Sequence, residues 1–242
     1  MFNEYKIYTE SLDSIELHSN KIINTINSHS FITSLNDKCF KHALQASDIL
    51  LPDGVGIVWA EKLLNGKKII KIAGYDLFLF LMNLLNKKSG SVFFLGGTTE
   101  TLNKIKKKCH IQYPKVKFNS YSPPFKENFT ELDSEIMCNM VNKYKPDVLF
   151  VGMTAPKQEK WVYLNKNKLK VQNICSIGAV FNYFAGEIKR SNNKVINNSG
   201  LEGIVRLISN PSKKLFYRNL VSVPLFILLI VYLKFVNFFK FK

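Results

Sequence analysis

A doubly wound, mainly parallel α/β sheet is the fold class that this chain of 242 residues predicts, and three observations predict it. Short apolar runs too brief for helices close on glycine at Ser91 to Gly97 (SVFFLGG) and at Val148 to Gly152, and a third spans Asn173 to Val180. Helix-length segments alternate with these runs, the signature of crossover units rather than hairpins. The Val148 run is apolar at successive positions, as a strand covered on both faces must be.

Taken in order, Lys21 to Asn27 and Ser30 to Leu35 read as a strand or two, ahead of a helix through Phe40 to Ala46. No glycine precedes Gly54. Leu50 to Ala60 (LLPDGVGIVWA) brings an apolar run, a Pro-Asp-Gly turn and a helix carrying Trp59. Lys71 to Leu85 is a turn feeding an apolar helix, with Asp76 near its start. The strand at Ser91 precedes a helix over Thr99 to Lys108. Asn119 to Asn128, with Pro123 and Pro124, reads as a loop, and Ser134 to Tyr144 as a helix. Pro146 to Trp161 (PDVLFVGMTAPKQEKW) then packs a strand, its loop and a polar cluster together, with Pro156 in the first turn of the next helix. No internal repeat or low-complexity tract appears.

Composition bounds the organisation. With 46% hydrophobic residues the chain supports one large core, so residues 1–188 read as a catalytic α/β domain and 189–242 as a basic, apolar-ended appendage. Cys39, Cys109, Cys138 and Cys175 lie far apart with no C-x-x-C pair, which favours reduced thiols over a zinc ribbon or redox motif. The start, MFNEYKIYTE, has no secretory pattern. The net charge is +16, and half of that excess lies from Gly186 onward, in the same quarter as the apolar run Val221 to Leu233. Basic residues flanking an apolar helix suit an anionic membrane surface, not nucleic acid. Thirteen apolar residues fall short of the roughly 20 that span a bilayer. Aromatics interleaved with lysines beyond Leu233 favour a helix lying in the interface, with a true span and burial on the core as the alternatives. Among 34 basic residues only Arg190, Arg206 and Arg218 are arginines, and all three lie in this quarter, a placement suited to forked recognition of phosphate or carboxylate.

The candidate chemistry gathers at predicted strand ends. Thr154, Lys157, Gln158 and Glu159 follow a strand directly, where open parallel sheets hold ligands, although a polar helix start gives the same pattern. Asp53 stands at a helix N-terminus as either a cap or a general base, and Gly54 beside it admits a ligand close to the backbone. Gly96 and Gly97 between strand and helix form a phosphate-approach loop, but G-x-G-x-x-G is absent.

Eight ordered stretches together resemble the WecG/TagA/CpsF family of bacterial glycosyltransferases, from about Ser34 to Leu225. They are SLN at Ser34 to Asn36, LPDGVGIVWA at Leu51, AGYDL at Ala73, FFLGG at Phe93, PDVLFVGMTAPKQEKW at Pro146, GAVFNYFAGEIKR at Gly178, GLEGIVRL at Gly200 and VPLF at Val223. The resemblance implies a Rossmann-like sheet of the GT-E type and inverting transfer of an N-acetylmannosamine-type or related hexose. The donor it implies is a UDP-sugar, and the acceptor a polyprenyl-diphosphate-linked sugar, at the cytoplasmic face of the bacterial plasma membrane in cell-surface polysaccharide synthesis. Matched by motif, Asp53 is the base and Gln158 the active-site glutamine. The match also implies a pocket position for Asn36, for Ser34 where the family has threonine, and for the arginines Arg190, Arg206 and Arg218; Gly54, Asp76, Gly96, Gly97, Lys157 and Glu159 are further candidates for binding substrate.

Such a transfer needs a base for the acceptor hydroxyl and positive charge for the leaving diphosphate. With no Asp-x-Asp in the chain, no metal or cofactor is expected and the arginines meet the diphosphate. Departures from the family pattern are Asn182 in place of a carboxylate, Tyr75 in place of a small hydroxyl residue, Lys71 in place of an arginine, Arg190-Ser191-Asn192 in place of R-A-P, and Gly203 in place of a tryptophan. A Rossmann-type oxidoreductase and a non-catalytic, membrane-tethered nucleotide-binding module are the other classes, and a homo-oligomer is left open. Against the oxidoreductase stand the missing glycine fingerprint and the missing ribose-binding acid.

Overall fold

The computed structural model describes residues 1–16, 21–188 and 216–240. Its centre is a six-stranded sheet built from β1 (Lys21–Ile26), β2 (Ile49–Pro52), β3 (Ser91–Gly96), β4 (Lys117–Tyr121), β5 (Val148–Gly152) and β6 (Asn173–Ser176). All neighbours are parallel, in the order β2-β1-β6-β5-β3-β4. Register alternates the side chains cleanly: Val92 and Phe94 face one layer while Phe93 and Leu95 face the other, and Val148 and Phe150 part from Leu149 and Val151 in the same way.

Three apolar clusters follow from this arrangement. On one face, α4 (Gly74–Lys88), α5 (Thr99–Gln112) and α8 (Val180–Ala185) bury Phe78, Ile105 and Phe181 against the strands. On the other, α6 (Glu131–Asn142) and α7 (Lys157–Asn165) contribute Met137, Val141, Trp161 and Val162. Helices on both faces make the sheet doubly wound. The third cluster joins α1 (Ser28–Asn36), α2 (Lys38–Gln45) and α3 (Val55–Asn65) to the C-terminal helix. That helix begins as a turn of π-helix over Arg218–Ser222 and continues as α9 (Val223–Lys240), with Phe226 and Ile230 fully buried against α1 and α3. Phe226 meets the Phe31 ring edge-on at 5.3 Å.

The structure places several element boundaries differently from the sequence reading. Ser30 to Leu35 is helical, because the Asn27 side chain accepts from Ser30 N at 3.0 Å and starts α1 there. The segment read as a loop from Asn119 begins with β4, an edge strand paired only with β3, whose polar sequence KFNSY hides its pairing. A capping box between Thr130 and Asp133 starts α6 three residues before Ser134. Pro156 caps α7 from outside its first turn. The run from Asn173 leaves the sheet after Ser176, and α8 begins at Val180.

Candidate active site

All six strands deliver their carboxyl ends to one cleft of about 1380 Å³. Asp53 follows β2 and is fixed by its backbone N–H, which donates to Ile26 O at 2.8 Å. Because Ile26 pairs with Pro52, the next residues of the two strands, Asn27 and Asp53, emerge side by side. Gly54 caps α3 at φ 119°, and a Cβ there would lie 3.7 Å from the Cβ of Asn27, so the two strand ends touch closely at the cleft floor.

Both α3, behind Gly54, and α7, behind Pro156, open onto this cleft without a side-chain cap, as does the short α8 behind Ala179. The first-turn amides of such helices have no intrahelical acceptor, and their dipoles bring partial positive charge to the cleft wall. On the adjoining wall, Gly96 and Gly97 have φ of 116° and 67°, and a Cβ on Gly96 would come within 2.5 Å of Gly152 O. Only glycine lets β3 and β5 leave the sheet this close together. Ser122 Oγ donates to Gly97 O at 2.8 Å and ties in the turn after β4.

Gln158 is the second residue of α7, and both ends of its amide are engaged by protein. Its Oε1 accepts from Met153 N at 3.2 Å and from Gly178 N at 2.9 Å, and its Nε2 donates to Glu159 Oε1 at 2.8 Å. At 3% exposure it joins the turns after β5 and β6. Glu159 lies beside it, 2% exposed and on the cleft wall. Lys157 donates from Nζ to Lys126 O at 2.6 Å and sits 4.6 Å from the centre of the Phe129 ring. Burial pushes its ammonium below the ordinary lysine value.

Three expected residues lie elsewhere. Ser34 is 1% exposed, bonded to Tyr5 Oη at 2.7 Å and to Phe31 O at 2.6 Å, and is not among the lining residues. Asn36, the exposed last residue of α1, does not line the cleft either. Asp76 accepts from Ala73 N at 3.2 Å and caps α4; it directly follows the lining residues Ala73, Gly74 and Tyr75 but is not among them. Side chains on helices face the cleft only near the helix start, and Ser34 and Asn36 sit too far along α1. Arg190 and Arg206 fall outside the described residues, as does the side chain of Arg218.

From the end of β1, Thr25 and Asn27 line the cleft, with His29 beyond them. The available signal was a Thr-x-Asn pattern closing the first apolar strand. His29 Nδ1 lies 2.9 Å from Ser222 Oγ, so the first turn of α1 is bonded to the π-helical turn ahead of α9. Asn182 lines the cleft and donates from Nδ2 to Glu187 Oε2 at 2.8 Å. Thr101 Oγ1 and Lys104 Nζ also reach Glu187, at 3.0 and 3.1 Å. Burial acts to raise the Glu187 carboxyl, but these donors outweigh it and hold the group below its ordinary value. A carboxylate therefore stands one hydrogen bond behind the asparagine. Among the described residues no cluster of three or more His, Cys, Asp or Glu has metal-binding geometry.

Residues 4–238 match the model of the glycosyl transferase WecG/TagA/CpsF family. The chain belongs to this family. It is similar to the N-acetylglucosaminyldiphosphoundecaprenol N-acetyl-beta-D-mannosaminyltransferase of Bacillus subtilis strain 168, at 27% identity over 92% of this chain and 86% of the relative. The enzymes of the same name from Bacillus spizizenii and Staphylococcus aureus strain MW2 are 26% and 24% identical, over 93% and 90% of this chain and 85% and 86% of the relatives. As a WecG/TagA/CpsF glycosyltransferase, the chain opens its cleft at the carboxyl ends of a parallel sheet, the place where such sheets bind ligands.

Proposed function

We propose that this glycosyltransferase moves an N-acetylmannosamine-type sugar from a UDP-sugar to a polyprenyl-diphosphate-linked sugar, with inversion, at the cytoplasmic face of the bacterial plasma membrane. The observation that carries the reading is a carboxylate, Asp53, on the floor of a cleft that the uncapped N-termini of α3 and α7 also face. The names of the relatives support the acceptor, a sugar on diphosphoundecaprenol.

In this reading Asp53 takes the proton of the acceptor hydroxyl as that oxygen attacks the anomeric carbon, and the diphosphate leaves from the opposite face. The amides of α3 and α7, with Lys157, favour the charge that develops on the departing diphosphate. Arg190, Arg206 and Arg218, in a basic appendage over residues 189–242, complete that neutralisation. Gln158 acts as a positioning residue, holding the turns after β5 and β6 in register. The apolar helix Asn219–Asn237, with a mean hydropathy of 2.2 and 17% of its length buried, supports membrane association.

Asp53→Asn keeps the size of the side chain and removes the base. UDP release from UDP-N-acetylmannosamine with a lipid-linked N-acetylglucosamine acceptor is expected to fall by about 10²- to 10⁴-fold, with the melting temperature maintained. Transfer at the wild-type rate would exclude Asp53 as the base.

A further inference from the structure

One wall of the cleft is unlike the rest. Asn219, Val223 and Ile227 recur every fourth residue along the C-terminal helix and all line the cleft. That spacing makes them a single stripe. The neighbouring stripe, Ser222, Phe226 and Ile230, is fully buried against the domain, which fixes the rotation of the helix. Val55 and Trp59, also four apart, line the same cleft from α3, a helix that packs against the C-terminal one. Trp59 is 38% exposed and Ile227 43% exposed, so large apolar side chains from two helices bound a slot open to solvent.

The slot has a polar inner end and an apolar outer end. Inward lie Asn27, His29 and Asp53. Outward it runs onto the exposed face of α9, where Leu228, Tyr232 and Phe235 are each more than 60% exposed. A water-soluble sugar nucleotide has nothing to set against such a wall, and a flat bilayer surface cannot enter a slot between two helices. A single hydrocarbon chain with a polar head satisfies both ends.

We propose that the slot between α3 and α9 binds the head-proximal part of the acceptor's isoprenoid chain, with Trp59, Val223 and Ile227 as its contacts. The chain passes from the slot onto the outer face of α9 and so into the lipid phase. This rests on the lipid-linked acceptor of the proposed function and adds where that lipid lies.

The test compares two acceptors with the same sugar-diphosphate head, one on a long and one on a short polyprenyl chain. The wild-type protein is expected to show a KM about tenfold lower for the long chain, roughly 1.4 kcal/mol. In Trp59→Ala and in Ile227→Asn that ratio is expected to collapse to within about twofold, while vesicle binding and the KM for the UDP-sugar hold. A ratio unchanged in both variants overturns the slot. So does a loss of vesicle binding that accounts for the whole KM effect, because the helix then contacts bilayer only.

A second measurement works without turnover. Trp161→Phe leaves Trp59 as the only tryptophan. Its emission is expected to shift to the blue on adding long-chain polyprenyl phosphate in detergent, but not detergent alone, and Ile227→Asn is expected to abolish the shift. No shift overturns the slot, whereas a shift in a protein that transfers no sugar retains the slot and removes the proposed reaction.

Discussion

Gln158 and Asp53 do different work, and substitution separates them. Removing the Gln158 amide leaves the N–H groups of Met153 and Gly178 without their acceptor in a buried setting. Each such loss costs about 1–3 kcal/mol, so Gln158→Ala is expected to destabilise the fold by about 3 kcal/mol in chemical denaturation as well as to slow transfer. Asp53→Asn is expected to slow transfer alone. The cysteines give a further residue-scale prediction. Burial pushes the Cys109 thiol up to about 12 and raises Cys138 and Cys175 as well. All three are buried, and Cys39 is the one with partial exposure. Alkylation of the native protein at neutral pH is expected to add a single adduct by mass spectrometry, at Cys39.

Elements are legible in the sequence where burial is symmetrical and obscured where it is not. β3 and β5 are apolar at every central position because both faces are covered, and both announce themselves. β4 has one neighbour and partly exposed faces, so its residues look like those of a loop. The start of α1 depends on one Asn27 side chain overriding the β-branched Ile32 and Thr33, which periodicity cannot weigh. The site divides in the same way. Asp53, Gly54, Gly96 and Gly97 at strand ends, and Lys157, Gln158 and Glu159 in the first turn of the helix after β5, are brought together. Ser34 and Asn36 lie one helix further along the chain and do not line the cleft, whereas Thr25 and Asn27, at the end of β1, do. The turns carry their own test. Gly96→Ala forces a Cβ into the carbonyl oxygen of Gly152 and is expected to cost about 3 kcal/mol. Gly66→Ala, at φ 69° with nothing within 4 Å, is expected to cost about 1 kcal/mol by the same denaturation measurement.

For the whole molecule, the C-terminal helix belongs to the core on one side and to its surroundings on the other. Phe226 packs with Phe2 and Phe31, so Phe226→Ala is expected to cost about 3–5 kcal/mol and lower the melting temperature by roughly 10 °C. An unshifted melting curve would show that α9 is not docked in solution. The strand order has a consequence for synthesis. Among the described residues β6, four buried residues late in the chain, is the only strand that joins the β2-β1 pair to the β5-β3-β4 trio. A nascent chain emerging from the ribosome therefore carries two unjoined half-sheets until residues 173–176 have cleared the exit tunnel. Completion of this sheet is set by the last of these strands to be made, and a chain stalled before it exposes the inner edges of β1 and β5 to other chains.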